Sequence, residues 1–134
     1  MSIEKGKFEV VYDIFDSPED LPDDERNLLT QAKTVMFKAH SPYSDFMVGA
    51  AIQLDDGVIV DGNNLENASY GLTNCAERVA FGKVGSLGRH WDVRKLAVIG
   101  TGRQFDTSKP VLPCGACRQV MKNLKISLDN PFDL

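Results

Sequence analysis

The fold is decided by residues 46–60, which read FMVGAAIQLDDGVIV. The first nine residues of this stretch are apolar enough to form a buried strand. Asp55, Asp56 and Gly57 form a turn signal, because Asp and Gly accept the backbone angles that tight turns need. Val58 to Val60 starts a return strand. The sequence therefore predicts a β-hairpin over this stretch.

A helical pattern precedes the hairpin. Asp23 or Asp24 could cap its start, and apolar residues recur on one stripe from Leu28 to Ala39. The residue before a proline avoids the helical conformation, so Pro42 predicts that this helix ends upstream of it.

Three further elements follow the hairpin. We expect a second helix over residues 74–87, a third core strand over 96–99, a polar loop over 101–110 and a third helix over 113–124. Helices that alternate with strands are typical of an α/β layered domain.

The beginning of the chain is expected to form an extension. Its apolar residues alternate with others, which predicts a short strand; they are Phe8, Val10, Tyr12 and Ile14. Residues 17–24 are rich in proline and acids and should form a loop. We expect one domain over residues 1–134, with an N-terminal extension (1–22), a catalytic core (23–124) and a short tail (125–134).

Composition narrows the class of protein. The chain has 134 residues, 43% hydrophobic and 25% charged, which suits a single globular domain. Its net charge of −4 disfavours a nucleic-acid or anionic-membrane partner. It contains no apolar run of the ~18 residues that span a bilayer, and Met1 to Lys7 lacks the apolar core of a signal peptide. We therefore expect a cytoplasmic protein.

The three cysteines suggest a metal site. Cys114 and Cys117 form a Cys-x-x-Cys, which lets two thiolates reach one ion from the first turn of a helix. Cys75 can complete a set of three protein ligands, which leaves the fourth position of a tetrahedral zinc ion open, as in catalytic sites. His40 and His90 have no ligand-like spacing with the cysteines.

Each of these residues also has a simpler interpretation. Cys-x-x-Cys occurs in redox pairs, and a single cysteine is most often a small buried apolar residue. Glu77 could be a solvated carboxylate and Arg78 a surface charge. Together their order favours a zinc site in which Glu77 moves protons and Arg78 donates a hydrogen bond to a ligand sulfur. Three thiolates and Zn²⁺ sum to −1, which two helix N-termini and Arg78 would offset.

The sequence resembles the small cytidine deaminases. Residues 75–78 read CAER and residues 113–119 read PCGACRQ, in the arrangement of that family. Residues 41–51, SPYSDFMVGAA, resemble its opening strand motif, and residues 62–70, GNNLENASY, resemble its nucleoside-binding segment. The likeness extends from about Ala32 to Leu124.

The resemblance implies a fold and an activity. The fold would be an α/β, three-layer α/β/α sandwich around a mixed β-sheet, with a shortened C-terminal part. The activity would be hydrolytic deamination of cytidine and 2′-deoxycytidine to the uridine forms and ammonia, in pyrimidine salvage. The family also implies one Zn²⁺ per chain, a homotetramer, a small-molecule nucleoside as substrate, and no nucleic-acid or membrane partner.

It also implies a role for individual residues. The proposed zinc ligands are Cys75, Cys114 and Cys117; Glu77 would be the proton shuttle described for zinc deaminases in general, and Arg78 would support the thiolates. Phe46 would lie against the pyrimidine ring, and Asn64 and Glu66 would hydrogen-bond the ribose hydroxyls. Outside this motif, Phe46 would be read as core and Asn64 as the start of a turn.

Some alternatives remain open. Only 17 residues follow Cys117, whereas family members usually have a longer tail. In that family a phenylalanine near the end reaches a neighbouring active site, and Phe132 is the candidate here. The rival functions are deamination of another nucleoside or base, nucleic-acid editing, and a catalytically impaired zinc-binding homologue.

Overall fold

The computed structural model describes residues 1–7 and 9–125. The main elements are α1 (Asp23–Met36), β1 (Phe46–Leu54), β2 (Ile59–Asn63), α2 (Ala76–Ser86), β3 (Val93–Gly102) and α3 (Gly115–Lys125), with short 3₁₀ turns at Pro18–Asp20 and Tyr70–Leu72. The predicted hairpin is confirmed, because β1 and β2 pair across the turn. The three predicted helices are also present, with ends that differ by a few residues.

The sheet has the strand order β2-β1-β3, and both strand pairs are antiparallel. Ile52 at the centre of β1 lies opposite Val60 on one side and Leu96 on the other. A chain that reverses in a tight turn must pair antiparallel, and β3 runs against β1 at its other edge. The expected mixed sheet is therefore wrong for the described residues, where the only parallel pairing is an isolated bridge between His40 and Leu65.

Helices cover both faces of this sheet. Successive residues of a strand point to opposite faces, so Ala50, Ile52 and Leu54 pack in one core with residues of α2 and α3. Ala51 packs in a second core with Leu28 and Ala32 of α1. The described residues thus form three layers in the order helix, sheet, helix.

The predicted N-terminal strand is wrong for the described residues. Residues 9–16 form no strand, and the side chains of Val10, Tyr12 and Ile14 are exposed, so their alternation buries nothing. Phe8 lies outside the described residues. Part of the predicted loop forms the 3₁₀ turn at Pro18–Asp20, whose N-cap is Ser17.

The first helix starts differently from the prediction. Neither Asp23 nor Asp24 caps α1, because its N-cap residue is Pro22 and both acids lie in the first turn. Carboxylates there still favour the helix, since its N-terminus carries partial positive charge. Asp24 and Glu25 also bind Lys95 of β3 at 2.8 and 3.0 Å, which ties α1 to the sheet. None of the described helices is long and apolar enough to cross a bilayer.

The close approach of α1 to β1 depends on Gly49. A Cβ atom at this position would lie 1.9 Å from the carbonyl oxygen of Ala32 and 2.9 Å from the Cβ of Met36. We expect Gly49→Ala to lower the free energy of unfolding by about 3 kcal/mol or more, measured by urea denaturation.

Gly82→Ala is the matched control, because a Cβ there meets no atom within 4 Å on the exposed side of α2. Alanine favours a helix interior, so this variant should gain about 0.5–1 kcal/mol. Equal stabilities for the two variants would contradict the packing of α1 on β1.

Candidate functional site

The starts of two helices bring the three cysteines together. Cys75 is the N-cap residue of α2. Cys114 directly precedes α3, and its carbonyl oxygen accepts a 2.9 Å hydrogen bond from the amide of Arg118. Cys117 lies in the first turn of α3 and is fully buried. Thiolates at helix N-termini are stabilised by the partial positive charge there.

The spacing of the sulfurs fits one zinc ion. The Sγ atoms of Cys75 and Cys114 are 3.7 Å apart, those of Cys114 and Cys117 are 3.5 Å apart, and all three lie within 4.8 Å of one another. Sulfurs at the corners of a zinc tetrahedron with ~2.3 Å bonds lie about 3.8 Å apart. Over residues 1–7 and 9–125 this is the only cluster of at least three candidate ligands, and it includes neither histidine.

The electrostatics of the cluster also call for a cation. Burial, together with the charge of Glu77, holds the pKa of the Cys117 thiol well above its ordinary value. The backbone amide of Cys117 donates to Cys114 and lowers the pKa of that thiol. All three cysteines are free of disulfides. A buried thiolate at Cys117 therefore needs a positive partner, which a metal ion supplies.

Arg78 lies beside the cluster. Its Nη2 atom donates to the Sγ of Cys75 at 3.6 Å and to the carbonyl oxygen of Thr73 at 3.0 Å. The hydrogen bond to Cys75 is the main reason that the pKa of Arg78 is raised. Its Nε atom is buried and has no hydrogen-bond partner among the described residues. The guanidinium thus places positive charge against the sulfurs.

Glu77 is buried at the same place. It is the second residue of α2, and its exposed fraction is 4%. A carboxylate is costly to bury without a nearby counter-charge or hydrogen bond. This burial excludes the interpretation of Glu77 as a solvated helix carboxylate.

Asn64 completes the pairing of β1 where β2 ends. Its Oδ1 atom accepts from the amide of Val48, and its Nδ2 atom donates to the carbonyl oxygen of Phe46, both at 2.8 Å. Its own amide donates to the carbonyl oxygen of Val48 at 3.2 Å. The residue is 8% exposed, and its side-chain NH₂ group has a second hydrogen that these bonds do not use. Asn64 is thus more than the start of a turn.

Glu66 holds the loop before β1. Its Oε2 atom accepts from the amides of Tyr43 at 2.9 Å and Ser44 at 3.2 Å, and its Oε1 atom accepts from the hydroxyl of Ser44. Burial would raise the pKa of Glu66, but these hydrogen bonds outweigh it and lower the pKa. Glu66 is therefore ionised at neutral pH. Ser44 as the partner of Glu66 was not predicted from the sequence.

Phe46 is the first residue of β1, and its side chain lies on the sheet face that α2 and α3 cover. This follows because Val48 and Ala50, two and four residues further along the strand, pack in the core on that face. A Cβ atom at Gly100 or Gly102 of β3 would lie 2.8 Å from its ring. Phe105 contacts the ring with a centroid distance of 4.7 Å. None of these three neighbours was predicted, although Gly-x-Gly at a strand end opposite an aromatic residue is a usable signal for the two glycines.

Backbone hydrogen bonds join the segment of Asn64 and Glu66 to the metal cluster. Leu65 and Asn74 exchange two hydrogen bonds of 2.9 Å, and Asn74 directly precedes Cys75. On the other side, the amide of Glu66 donates to the carbonyl oxygen of His40 at 2.9 Å. Asn64 and Glu66 thus share one hydrogen-bonded framework with the start of α2 at Cys75. Phe132 lies outside the described residues.

Comparison with known proteins identifies the family. The profile described as "Cytidine and deoxycytidylate deaminase zinc-binding region" matches residues 22–128. A cytidine deaminase of Halalkalibacterium halodurans is 52% identical over 101 residues, which cover 75% of this chain and 72% of the relative. One of Sporosarcina psychrophila is 47% identical over 98 residues, covering 73% and 68%.

Solved structures agree. The crystal structure of cytidine deaminase from Burkholderia pseudomallei is 48% identical, covers 71% of this chain and 72% of that chain, and has a TM-score of 0.65. That from Mycobacterium tuberculosis is 33% identical, covers 84% and 100%, and has a TM-score of 0.65. Together with the sulfur spacing, the zinc-binding family shows that the cofactor is zinc, bound by the three cysteines.

Removing one thiol should remove the metal. We expect purified protein to contain about one zinc per chain, and Cys114→Ala to lose most of it together with stability. Because Cys114 is exposed, its truncation leaves little cavity, so any large loss of stability reports the metal. Gln119→Ala, an exposed position on the same helix, is the control. Full zinc occupancy in Cys114→Ala, measured by mass spectrometry, would refute this ligand.

Proposed function

Because the chain belongs to the cytidine and deoxycytidylate deaminase family, we propose that it hydrolyses cytidine and 2′-deoxycytidine to uridine and 2′-deoxyuridine, with release of ammonia. The observation that carries this proposal is the buried carboxylate of Glu77 at a three-cysteine zinc site. A site with three protein ligands keeps one position for water or substrate.

The cysteines and Arg78 define the electrostatics of the reaction. When bound, zinc acts as a Lewis acid that makes hydroxide available near neutral pH. Three thiolates give this centre an excess of negative charge. The N-termini of α2 and α3 and the guanidinium of Arg78 offset that excess. The zinc would therefore remain an effective Lewis acid.

Glu77 moves the protons. Replacing the amino group on C4 of the pyrimidine by oxygen requires a base for the attacking water and an acid for the ring nitrogen and the departing ammonia. A single carboxyl group can do both, since it accepts a proton in one step and returns it in the next. Its burial beside Cys117 keeps bulk water from taking over this transfer.

The other residues hold the nucleoside. The Phe46 ring offers a flat apolar surface to the base. Glu66 is ionised and can accept from a ribose hydroxyl, and Asn64 retains one amide hydrogen that it can donate. A substrate that lacks the sugar would leave these groups unpaired and would therefore bind less tightly.

Two rival functions use the same residues. A deaminase of another nucleoside or base would keep the zinc and Glu77 but change the contacts to the base. A catalytically impaired homologue would keep the zinc alone. Nucleic-acid editing is disfavoured by the net charge of −4.

We also propose that the protein is a cytoplasmic homotetramer. The exposed side chains of Tyr43, Tyr70 and Leu72 near the nucleoside segment support a surface that another subunit covers.

Residues 23–124 would form the catalytic core of a single domain, with 1–22 as an extension and 125–134 as a short tail. The helices and strands from Asp23 to Lys125 pack around one sheet, which supports this division.

Glu77→Gln tests the mechanism. Glutamine keeps the size of the side chain but cannot relay a proton at neutral pH. Turnover of cytidine should fall by at least ~10²–10⁴-fold, while zinc content and nucleoside binding are retained. Turnover is followed by the loss of cytidine absorbance, and zinc is measured on the same preparation.

Glu4→Gln is the matched control, because Glu4 is exposed near the chain start. Near-normal turnover in Glu77→Gln would refute the proton shuttle, and loss of zinc would instead make Glu77 a ligand. A wild-type protein that binds zinc but leaves cytidine unchanged would favour the impaired homologue.

A further inference from the structure

The first residues of β1 extend past the end of β2. The last residue of β2, Asn63, lies opposite Gly49, so β2 cannot pair with the backbone of Phe46 to Val48. Unpaired backbone groups are costly in a strand that packs on a core. The side-chain amide of Asn64 donates to the carbonyl oxygen of Phe46 and accepts from the amide of Val48, and the main-chain amide of Asn64 donates to the carbonyl oxygen of Val48. One group remains on this side, the amide of Phe46.

Ser44 satisfies that group. The amide of Phe46 donates to the Oγ atom of Ser44 at 3.0 Å. Asp45 between them has a φ of 55°, in the left-handed region that aspartate accepts more readily than most residues. This conformation folds the chain back, so the side chain of Ser44 can reach the amide two residues on.

The same hydroxyl contacts Glu66. The Oγ atom of Ser44 donates to Oε1 of Glu66, whereas the amides of Tyr43 and Ser44 both donate to Oε2. A hydroxyl has one hydrogen and two lone pairs, so it can donate to Glu66 and accept from Phe46 at once. Among the described residues, the Ser44 hydroxyl is thus the donor that fixes Oε1 of Glu66.

We propose that Ser44 is a positioning residue that couples sugar recognition by Glu66 to placement of the Phe46 ring. The inference rests on the proposed function, in which Glu66 contacts the ribose and Phe46 the base. Without the hydroxyl, Oε2 of Glu66 stays held by two amides, but Oε1 and the start of β1 lose their common partner. Loss of Ser44 therefore weakens binding of a substrate with ribose hydroxyls and leaves the chemistry of Glu77 unchanged.

Kinetics of three variants test this coupling. For Ser44→Ala, KM for cytidine should rise roughly tenfold, as expected for a lost hydrogen bond to a charged group, while kcat stays within about twofold. KM for 2′,3′-dideoxycytidine, which lacks both hydroxyls, should change much less. Ser44→Thr keeps a hydroxyl, so its KM values for cytidine and for 2′,3′-dideoxycytidine should both equal those of the wild-type protein. Ser41→Ala is the control in the same loop, because its carbonyl, which accepts from Asp45, is retained.

Amide hydrogen exchange supplies a readout that does not need activity. The amide of Phe46 should exchange faster in Ser44→Ala, and at the wild-type rate in Ser44→Thr. An unchanged KM, an equal rise for both substrates, or a loss confined to kcat would overturn the inference. If the wild-type protein failed to deaminate cytidine, the proposed function would fail separately, and unchanged exchange at Phe46 would still overturn the role of Ser44.

Discussion

Three thiols meet at the starts of two helices, with their sulfur atoms within 4.8 Å of one another. One of them, Cys117, is fully buried beside the carboxylate of Glu77, where burial and negative charge oppose its ionisation. A divalent cation would instead favour ionisation of the Cys117 thiol, because it binds thiolates and attracts the carboxylate of Glu77 at the same time. The three cysteines would therefore let one metal ion tie the first turns of α2 and α3 together, in addition to the apolar contacts that pack both helices on the sheet.

The same constraint organises the rest of the site. Asn74, next to Cys75, pairs with Leu65, and Leu65 stands between Asn64 and Glu66. Those two residues in turn hold the start of β1, Asn64 directly and Glu66 through Ser44. Cys75, Asn64 and Glu66 thus belong to one hydrogen-bonded framework that also holds the start of β1.

Much of this could be predicted from local sequence. The turn at Asp55–Gly57 specifies the hairpin because few residues accept its backbone angles, and Gly57 has a φ of 86°. The spacing of the cysteines relative to the helix starts predicts the metal cluster. The alternation of Val10, Tyr12 and Ile14 wrongly predicted a strand, because a strand also needs a partner that local sequence does not show. The backbone role of Asn64 and the contact of Phe105 with Phe46 arise from long-range packing and could not be foreseen.

X-ray absorption at the zinc edge of the purified protein measures the central claim most directly. The account predicts three sulfur neighbours at about 2.3 Å and one oxygen or nitrogen neighbour at about 2.0–2.1 Å. That result would mean three cysteine ligands and one position open for chemistry. Four sulfur neighbours, or a shell with histidine in place of a sulfur, would contradict it, because the site would then be closed or built from other residues.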